Sequence, residues 1–175
     1  MIKNYILILI LSLSLSSLGF TETLLSTNGV KLSEITSNLN EPWGMTFIND
    51  DNILITEKTG EIIRINMKTG EKHSIDHELN FFYYGQGGLL EVLFKNDEIY
   101  VSYSENRGGG KSSTSVAKAP IKDKDLNFKN IFRSEPPINS GYHFGSRLVI
   151  KDDYLFITAG ERGEGMIAQD PKKHP

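Results

Sequence analysis

The sequence predicts an all-β chain and, within that class, a β-propeller. Three observations carry this. Three segments repeat one pattern of strand, Asp/Asn turn, strand and closing Ser or Thr: residues 44–56, 92–102 and 148–158, ending in Thr56, Ser102 and Thr158. Aligned on Asp51, Asp97 and Asp153, the copies lie 46 and 56 residues apart, near the roughly 40–50 residues of a propeller blade. Helical periodicity is nearly absent after the first 20 residues, while short β-branched runs bounded by turn residues are frequent.

Taken from the N-terminus, Met1-Ile2-Lys3-Asn4 carries one positive charge, residues 5–15 are apolar apart from Ser12 and Ser14, and Ser16-Ser17-Leu18-Gly19 supplies small residues. That order reads as a secretory signal peptide over residues 1–19, cleaved near Gly19. A membrane anchor is the alternative, but the run falls short of the about 20 residues a spanning helix needs. Strands are expected at 30–35, 45–48, 53–56, 62–65, 89–94, 99–104, 115–119, 148–150 and 154–158. Residues 62–71 read as the hairpin arm closing the first blade, and the Gly/Ser-rich stretch 106–115 as a mobile loop. The continuous apolar runs Ile53-Leu54-Ile55 and Tyr154-Leu155-Phe156-Ile157 suggest strands covered on both faces.

Residues 24–175 read as one continuous stretch of about three blades. A ring closes with roughly four to eight, so the expectation is the N-terminal half of a longer propeller; a self-contained 175-residue domain is the alternative. No cysteine is present, which excludes disulfides and cysteine-linked lipid. Without residues 1–19 the chain keeps 18 basic and 22 acidic residues, a net charge of −4. Mixed charge of this kind leaves no electrostatic footprint for nucleic acid.

Two glycine-bearing stretches precede inner strands: Gly85-Gln86-Gly87-Gly88-Leu89-Leu90 before the second repeat and Gly141-Tyr142-His143-Phe144-Gly145-Ser146-Arg147-Leu148 before the third. Loops of this kind converge on one mouth of a propeller's channel. Gln86 and His143 are therefore candidates to face one site, His143 as a proton acceptor near neutral pH. The plainer reading is that His143 caps a strand. His73 and His77, four apart, lie in strand and loop context and read as solvated rather than metal-binding. Gly108-Gly109-Gly110-Lys111-Ser112 ends like a phosphate-binding loop, but Glu105 stands where its first glycine belongs. Tyr83 and Tyr84 read as packing residues or as a shelf at the channel mouth.

Pro42-Trp43-Gly44-Met45, Leu54-Ile55-Thr56-Glu57-Lys58-Thr59-Gly60, the Gln86 stretch, Tyr100-Val101-Ser102-Tyr103-Ser104, His143-Phe144-Gly145-Ser146-Arg147-Leu148, Gly160-Glu161-Arg162-Gly163 and Ala168-Gln169-Asp170 occur in that order. Together they resemble the glucose/sorbosone dehydrogenase family, most closely its soluble aldose sugar dehydrogenases. The resemblance covers residues 32–174. It implies a six-bladed propeller using pyrroloquinoline quinone and calcium to oxidise aldoses to lactones. It also implies that electrons pass to an acceptor the sequence does not identify. By the same resemblance His143 is the catalytic base and Glu161 the acid orienting it. Gln86 binds the substrate hydroxyl. Tyr142 stands at a substrate position where glucose-specific members carry Asp, which favours a broader aldose range. Arg147 and Arg162 read as structural or channel-lining. The quinone and calcium ligands are expected beyond residue 175, so this stretch alone is expected to be inactive. The export signal places the protein in the periplasm or outside the cell. The rival readings are a propeller that binds carbohydrate or protein without redox chemistry, and a truncated product without function.

Overall fold

Alternating β-branched residues, punctuated by Asn and Asp, build almost everything in the computed structural model. The structure describes residue 29, residues 31–121 and residues 125–173. The expected signal peptide lies outside them. The chain divides into two units, Met1–Glu34 and Ile35–Pro175. Of the first, only Gly29 and residues 31–34 are described, all exposed. Leu32 to Ile35, expected as strand, are not in one.

In the second unit, β1 (Pro42–Asn49), β2 (Asn52–Glu57), β3 (Ile62–Asn66) and β4 (Lys72–His77) form an antiparallel meander. The two-residue strand β8 (Asp125–Leu126) joins β4 in parallel. The second sheet orders β5 (Leu89–Lys95), β6 (Glu98–Asn106), β7 (Ser112–Pro120) and β9 (Lys129–Arg133). A third sheet is the hairpin of β10 (Gly145–Lys151) and β11 (Tyr154–Ala159). β1 lies against β5 and β5 against β10. These are two four-stranded blades and the inner hairpin of a third, fanned as in a β-propeller.

Tight turns set the registers. Asn96 and Asp97 both take positive φ, 53° and 60°, and join Lys95 to its partner Glu98. Two central residues of positive φ match the twist of a hairpin, and Asn and Asp tolerate them best. Asn49 closes the β1–β2 turn by accepting from the Asp51 amide at 3.0 Å.

The core between the first two blades packs Leu54, Ile62 and Ile75 against Leu89, Val92, Ile99 and Val101, all buried. On the other face of the first blade Ile53, Ile55, Ile63 and Ile65 cluster under Leu39 and Met67. The run at 53–55 is thus covered on both sides, as expected. The run at 154–157 is not: Tyr154 is 71% and Phe156 55% exposed, beside Val149 at 50%. Leu155 and Ile157 are half-buried, so only alternate residues of this run are sheltered.

The closing Ser or Thr of each repeat has a specific task. Each inner strand breaks its ladder register once near its start: between Pro42 and Gly44, between Leu89 and Val92, and between Gly145 and Leu148. A bulge of this kind leaves main-chain groups without ladder partners. The amides of Gly44, Glu91 and Arg147 donate instead to the hydroxyls of Thr56, Ser102 and Thr158, at 3.1, 3.0 and 2.9 Å. The first two of those hydroxyls donate onward to the next blade. Thr56 Oγ1 reaches the Leu90 carbonyl, and Ser102 Oγ reaches the Ser146 carbonyl at 2.7 Å. One repeated hydroxyl therefore repairs the bulge in its own blade and latches that blade to its neighbour.

Two further sequence expectations need correction. The first blade closes not with 62–71 but with β4, whose exposed, polar residues mask its strand period. Half of the stretch 106–115 is strand, since β6 runs to Asn106 and β7 starts at Ser112, and only residues 107–111 are loop. Its hydroxyls are buried, not solvated: Thr114 Oγ1 donates to the Phe144 carbonyl at 2.7 Å and Ser115 Oγ to Glu105 at 2.7 Å. Composition reads such a run as loop because it cannot see those partners.

Candidate active site around His143

His143 sits in the segment between β9 and β10, Gln86 in the turn before β5, and Glu161 just after β11. All three precede or follow inner-hairpin strands, and the fan brings them together. The Gln86 turn docks directly on the His143 segment, with the Gln86 amide donating to the Gly141 carbonyl at 2.7 Å. Gly85 is needed there: its φ is 60°, and a Cβ would lie 2.6 Å from the Gly141 oxygen. Lys58 braces the same turn by donating to the Gly85 carbonyl at 3.1 Å while pairing with Glu41.

His143 itself holds a left-handed backbone, φ 51°, a costly conformation for a non-glycine residue that persists only where its surroundings enforce it. Its amide donates to Gln86 Oε1 at 2.8 Å. Its Nδ1 lies 2.5 Å from Glu161 Oε1. The Glu161 carboxyl is held below the usual carboxylate range, chiefly by its hydrogen bond to His143 and also by the Gly163 amide. An ionised carboxylate only accepts, so the neutral imidazole carries its proton on Nδ1. Nε2 is then a lone pair, on a side chain 55% exposed.

Gln86 is fixed in the same way. With Oε1 taken by the His143 amide, its side-chain NH2 is the group left to face a ligand. The site thus offers one proton acceptor and one donor held by a shared bond. Tyr142 is exposed, its ring 6.3 Å from the His143 imidazole. Tyr84 is exposed and lies against Gly141, whereas the Tyr83 hydroxyl donates to Glu41 at 2.6 Å. Of the two tyrosines weighed from sequence, Tyr84 is the one free to stack on a ligand.

The remaining candidates resolve into structural roles. Arg147 pairs with Glu91, whose carboxyl burial pushes up despite that partner. His77 Nε2 lies 2.9 Å from the Gly60 carbonyl, and its Nδ1 accepts from the Leu79 amide at 3.2 Å. Ser112 opens strand β7, so no helix follows the glycines before it. Among the described residues no group of three or more His, Cys, Asp or Glu could hold a metal. Cavities between β1–β4 and β8, lined by Ile48, Arg64, Ile75 and Leu126, contain none of the site residues. Sequence reasoning missed Gly160 and Thr114, which hold the His143 segment from behind. A Cβ on Gly160 would lie 1.8 Å from the His143 carbonyl oxygen.

The glucose/sorbosone dehydrogenase family model matches residues 39–175. Aldose sugar dehydrogenase YliI of Escherichia coli is 34% identical over 82% of this chain and 42% of its own length. Quinoprotein glucose dehydrogenase B of Acinetobacter calcoaceticus is 30% identical over 77% of this chain and 31% of its own. A crystal structure of a glucose dehydrogenase superposes with a TM-score of 0.76 at 34% identity, covering 81% of this chain and 44% of that one. The chain spans less than half the length of each of these relatives.

Proposed function

The chain belongs to the glucose/sorbosone dehydrogenase family, and from that premise we propose that it carries the base and substrate-hydroxyl site of an enzyme oxidising aldoses to lactones. One observation supports this reading above the others: His143 turns its Nδ1 to Glu161 and its amide to Gln86 Oε1, leaving Nε2 as an acceptor and the Gln86 NH2 as a donor. An anomeric hydroxyl needs that pair. Its proton passes to Nε2 as the C1–H bond gives up a hydride and the lactone carbonyl forms. The Gln86 NH2 donates to the same oxygen and stabilises the charge it gains as the proton leaves. Glu161 stabilises the imidazolium that results, as a triad carboxylate does. Tyr142 and Tyr84 present flat rings to a pyranose, a mode of contact that tolerates a range of aldoses.

Pyrroloquinoline quinone, held with calcium, would supply the two-electron acceptor for that hydride, in keeping with the Acinetobacter relative being named a quinoprotein. The arginines beside the site are already engaged, Arg147 by Glu91 and Arg162 by main-chain carbonyls. Neither is free for the quinone's carboxylates, and the described acids form no calcium cage. The described residues therefore serve the substrate hydroxyl and its proton, and none of them is assigned to the quinone or to calcium. We further propose export through residues 1–19; among the described residues no helix is long and apolar enough to cross a membrane.

The test is His143→Gln in the native protein supplied with quinone and calcium, read by dye-linked oxidation of several aldoses and by sugar binding. Turnover falls at least about 1,000-fold while binding changes little. Wild-type-like turnover in the variant sinks the proposal. Sugar binding with no turnover in the parent makes the protein a carbohydrate-binding propeller.

A further inference from the structure

The most unusual side chain in the molecule is Arg162. It is 1% exposed, and among the described residues no carboxylate pairs with it. A buried guanidinium without a counter-charge is expensive, and burial alone pushes its pKa down to about 10. A purely packing role would favour an apolar residue of similar volume.

Its contacts point to one neighbour. Nε donates to the Tyr142 carbonyl at 2.8 Å. Nη1 donates to the Ser112 carbonyl and Nη2 to the Ser112 hydroxyl, both at 3.0 Å. Nη2 also donates to the Ser140 carbonyl. The guanidinium lies 3.6 Å from the centre of the Phe144 ring. Arg162 thus grips the residues on both sides of His143 and ties them to strand β7. Its own neighbour, Glu161, holds the His143 ring.

The carbonyls along this segment are accounted for almost one by one. Ser140 and Tyr142 accept from Arg162. Gly141 accepts from the Gln86 amide, and Phe144 from Thr114 Oγ1. Only a planar fork with several fixed donors reaches two of these carbonyls and β7 together; a lysine ammonium is a compact charge without that geometry.

We propose that Arg162 is a positioning residue for the base, holding the left-handed backbone of His143 so that its Nδ1 meets Glu161. The inference rests on His143 being the base, as set out above.

The experiment compares Arg162→Lys and Ser112→Ala with the parent in the native protein, in two arms. The first reads the His143 tautomer from imidazole 15N shifts of the histidine-labelled protein without cofactor. The parent shows the Nδ1–H form. Arg162→Lys shifts to the Nε2–H form or to a mixture. The second arm reads steady-state kinetics with quinone, calcium and aldose. Arg162→Lys loses about 100-fold in kcat with KM within about threefold, the scale expected of a 1 Å misplacement. Ser112→Ala, which removes the hydroxyl that accepts from Arg162 Nη2 and donates to the Ser140 carbonyl at 3.5 Å but no main-chain group, changes both readouts in the same direction by a smaller amount. It decides the matter if Arg162→Lys does not fold. An unchanged tautomer in folded variants overturns the proposal, as does unchanged kcat. Absence of sugar oxidation in the parent overturns the functional reading instead, and the tautomer arm still decides the role of Arg162.

Discussion

Gly160→Ala separates activity from stability in a way the structure makes quantitative. An added Cβ would meet the His143 oxygen at 1.8 Å and its carbonyl carbon at 2.6 Å. Both are backbone atoms, and they cannot swing aside as the end of a lysine would. To recover even 3.0 Å, the lower limit of real contacts, the His143 main chain must retreat by about 1.2 Å, the kind of shift that overpacking forces. The stability cost is about 1–3 kcal/mol, typical of overpacking. The catalytic cost is larger in consequence: displacing a base by 1 Å costs about 100-fold in rate. Gly165→Ala is the matched control, since its Cβ would meet nothing within 4 Å. The assay is dye-linked aldose oxidation by the native protein with quinone and calcium, kcat and KM separately, beside a thermal melt. The expected result is a folded Gly160→Ala protein with kcat down about 100-fold and a control indistinguishable from the parent. A Gly160→Ala enzyme within threefold of the parent would falsify the placement of His143 against Gly160.

Three further predictions concern the latch, a buried acid and the aromatic rim. Thr56→Val removes the hydroxyl joining the Gly44 amide to the Leu90 carbonyl and strands both; a loss of about 1–3 kcal/mol in denaturant unfolding is expected, and a loss under 0.5 kcal/mol refutes the latch. For Glu105, burial pushes the carboxyl up, but hydrogen bonds from Arg133 and Ser115 and the nearby arginine charges outweigh it, and its pKa falls below the usual range. Its contribution is therefore present above the ordinary carboxylate range and lost as pH falls through the lowered value. Glu105→Gln should be less stable than the parent at pH 7, with the gap closing on acidification; a gap that widens contradicts this. Tyr84→Ala should raise KM for aldoses several-fold with kcat nearly unchanged, because a stacking surface binds ground and transition states alike; a fall in kcat at constant KM would place Tyr84 in the chemistry instead.

The fold was legible where side-chain chemistry repeats. The apolar pairs, the Asp/Asn turns and the Ser or Thr ending each repeat marked the inner hairpin of every blade, and those hairpins are where the sequence signal stays dense. Strands β4 and β9 went unread because they are peripheral. Lys72, His73 and Ser74 are exposed, as are Lys129, Ile131 and Arg133, so neither strand carries an apolar face strong enough to show its period. The serines of β7 were misread for the opposite reason. Ser112 meets Arg162 and the neighbouring Thr114 meets Phe144, 50 and 30 residues on, and a hydroxyl that finds a buried partner looks in composition like one that finds water.

The site shows the same limit more sharply. Nothing in local spacing joins Gln86 to His143, 57 residues on, or Ser112 to Arg162, 50 residues on; the repeat paired Gln86 with His143, the resemblance added Glu161, and Arg162 read only as structural or channel-lining. What joins them is the fan of inner hairpins. Each blade begins with a bulge that its own hydroxyl repairs, and each bulge fixes where the preceding turn points. The Gln86 turn precedes one bulge, the His143 segment precedes the next, and Ser102 ties the two by reaching the Ser146 carbonyl. The hydroxyl that latches blade to blade therefore also ties the blade that follows the Gln86 turn to the strand that follows His143. Loosening it at Ser102 should disturb the Gln86–His143 bond before it unfolds either blade.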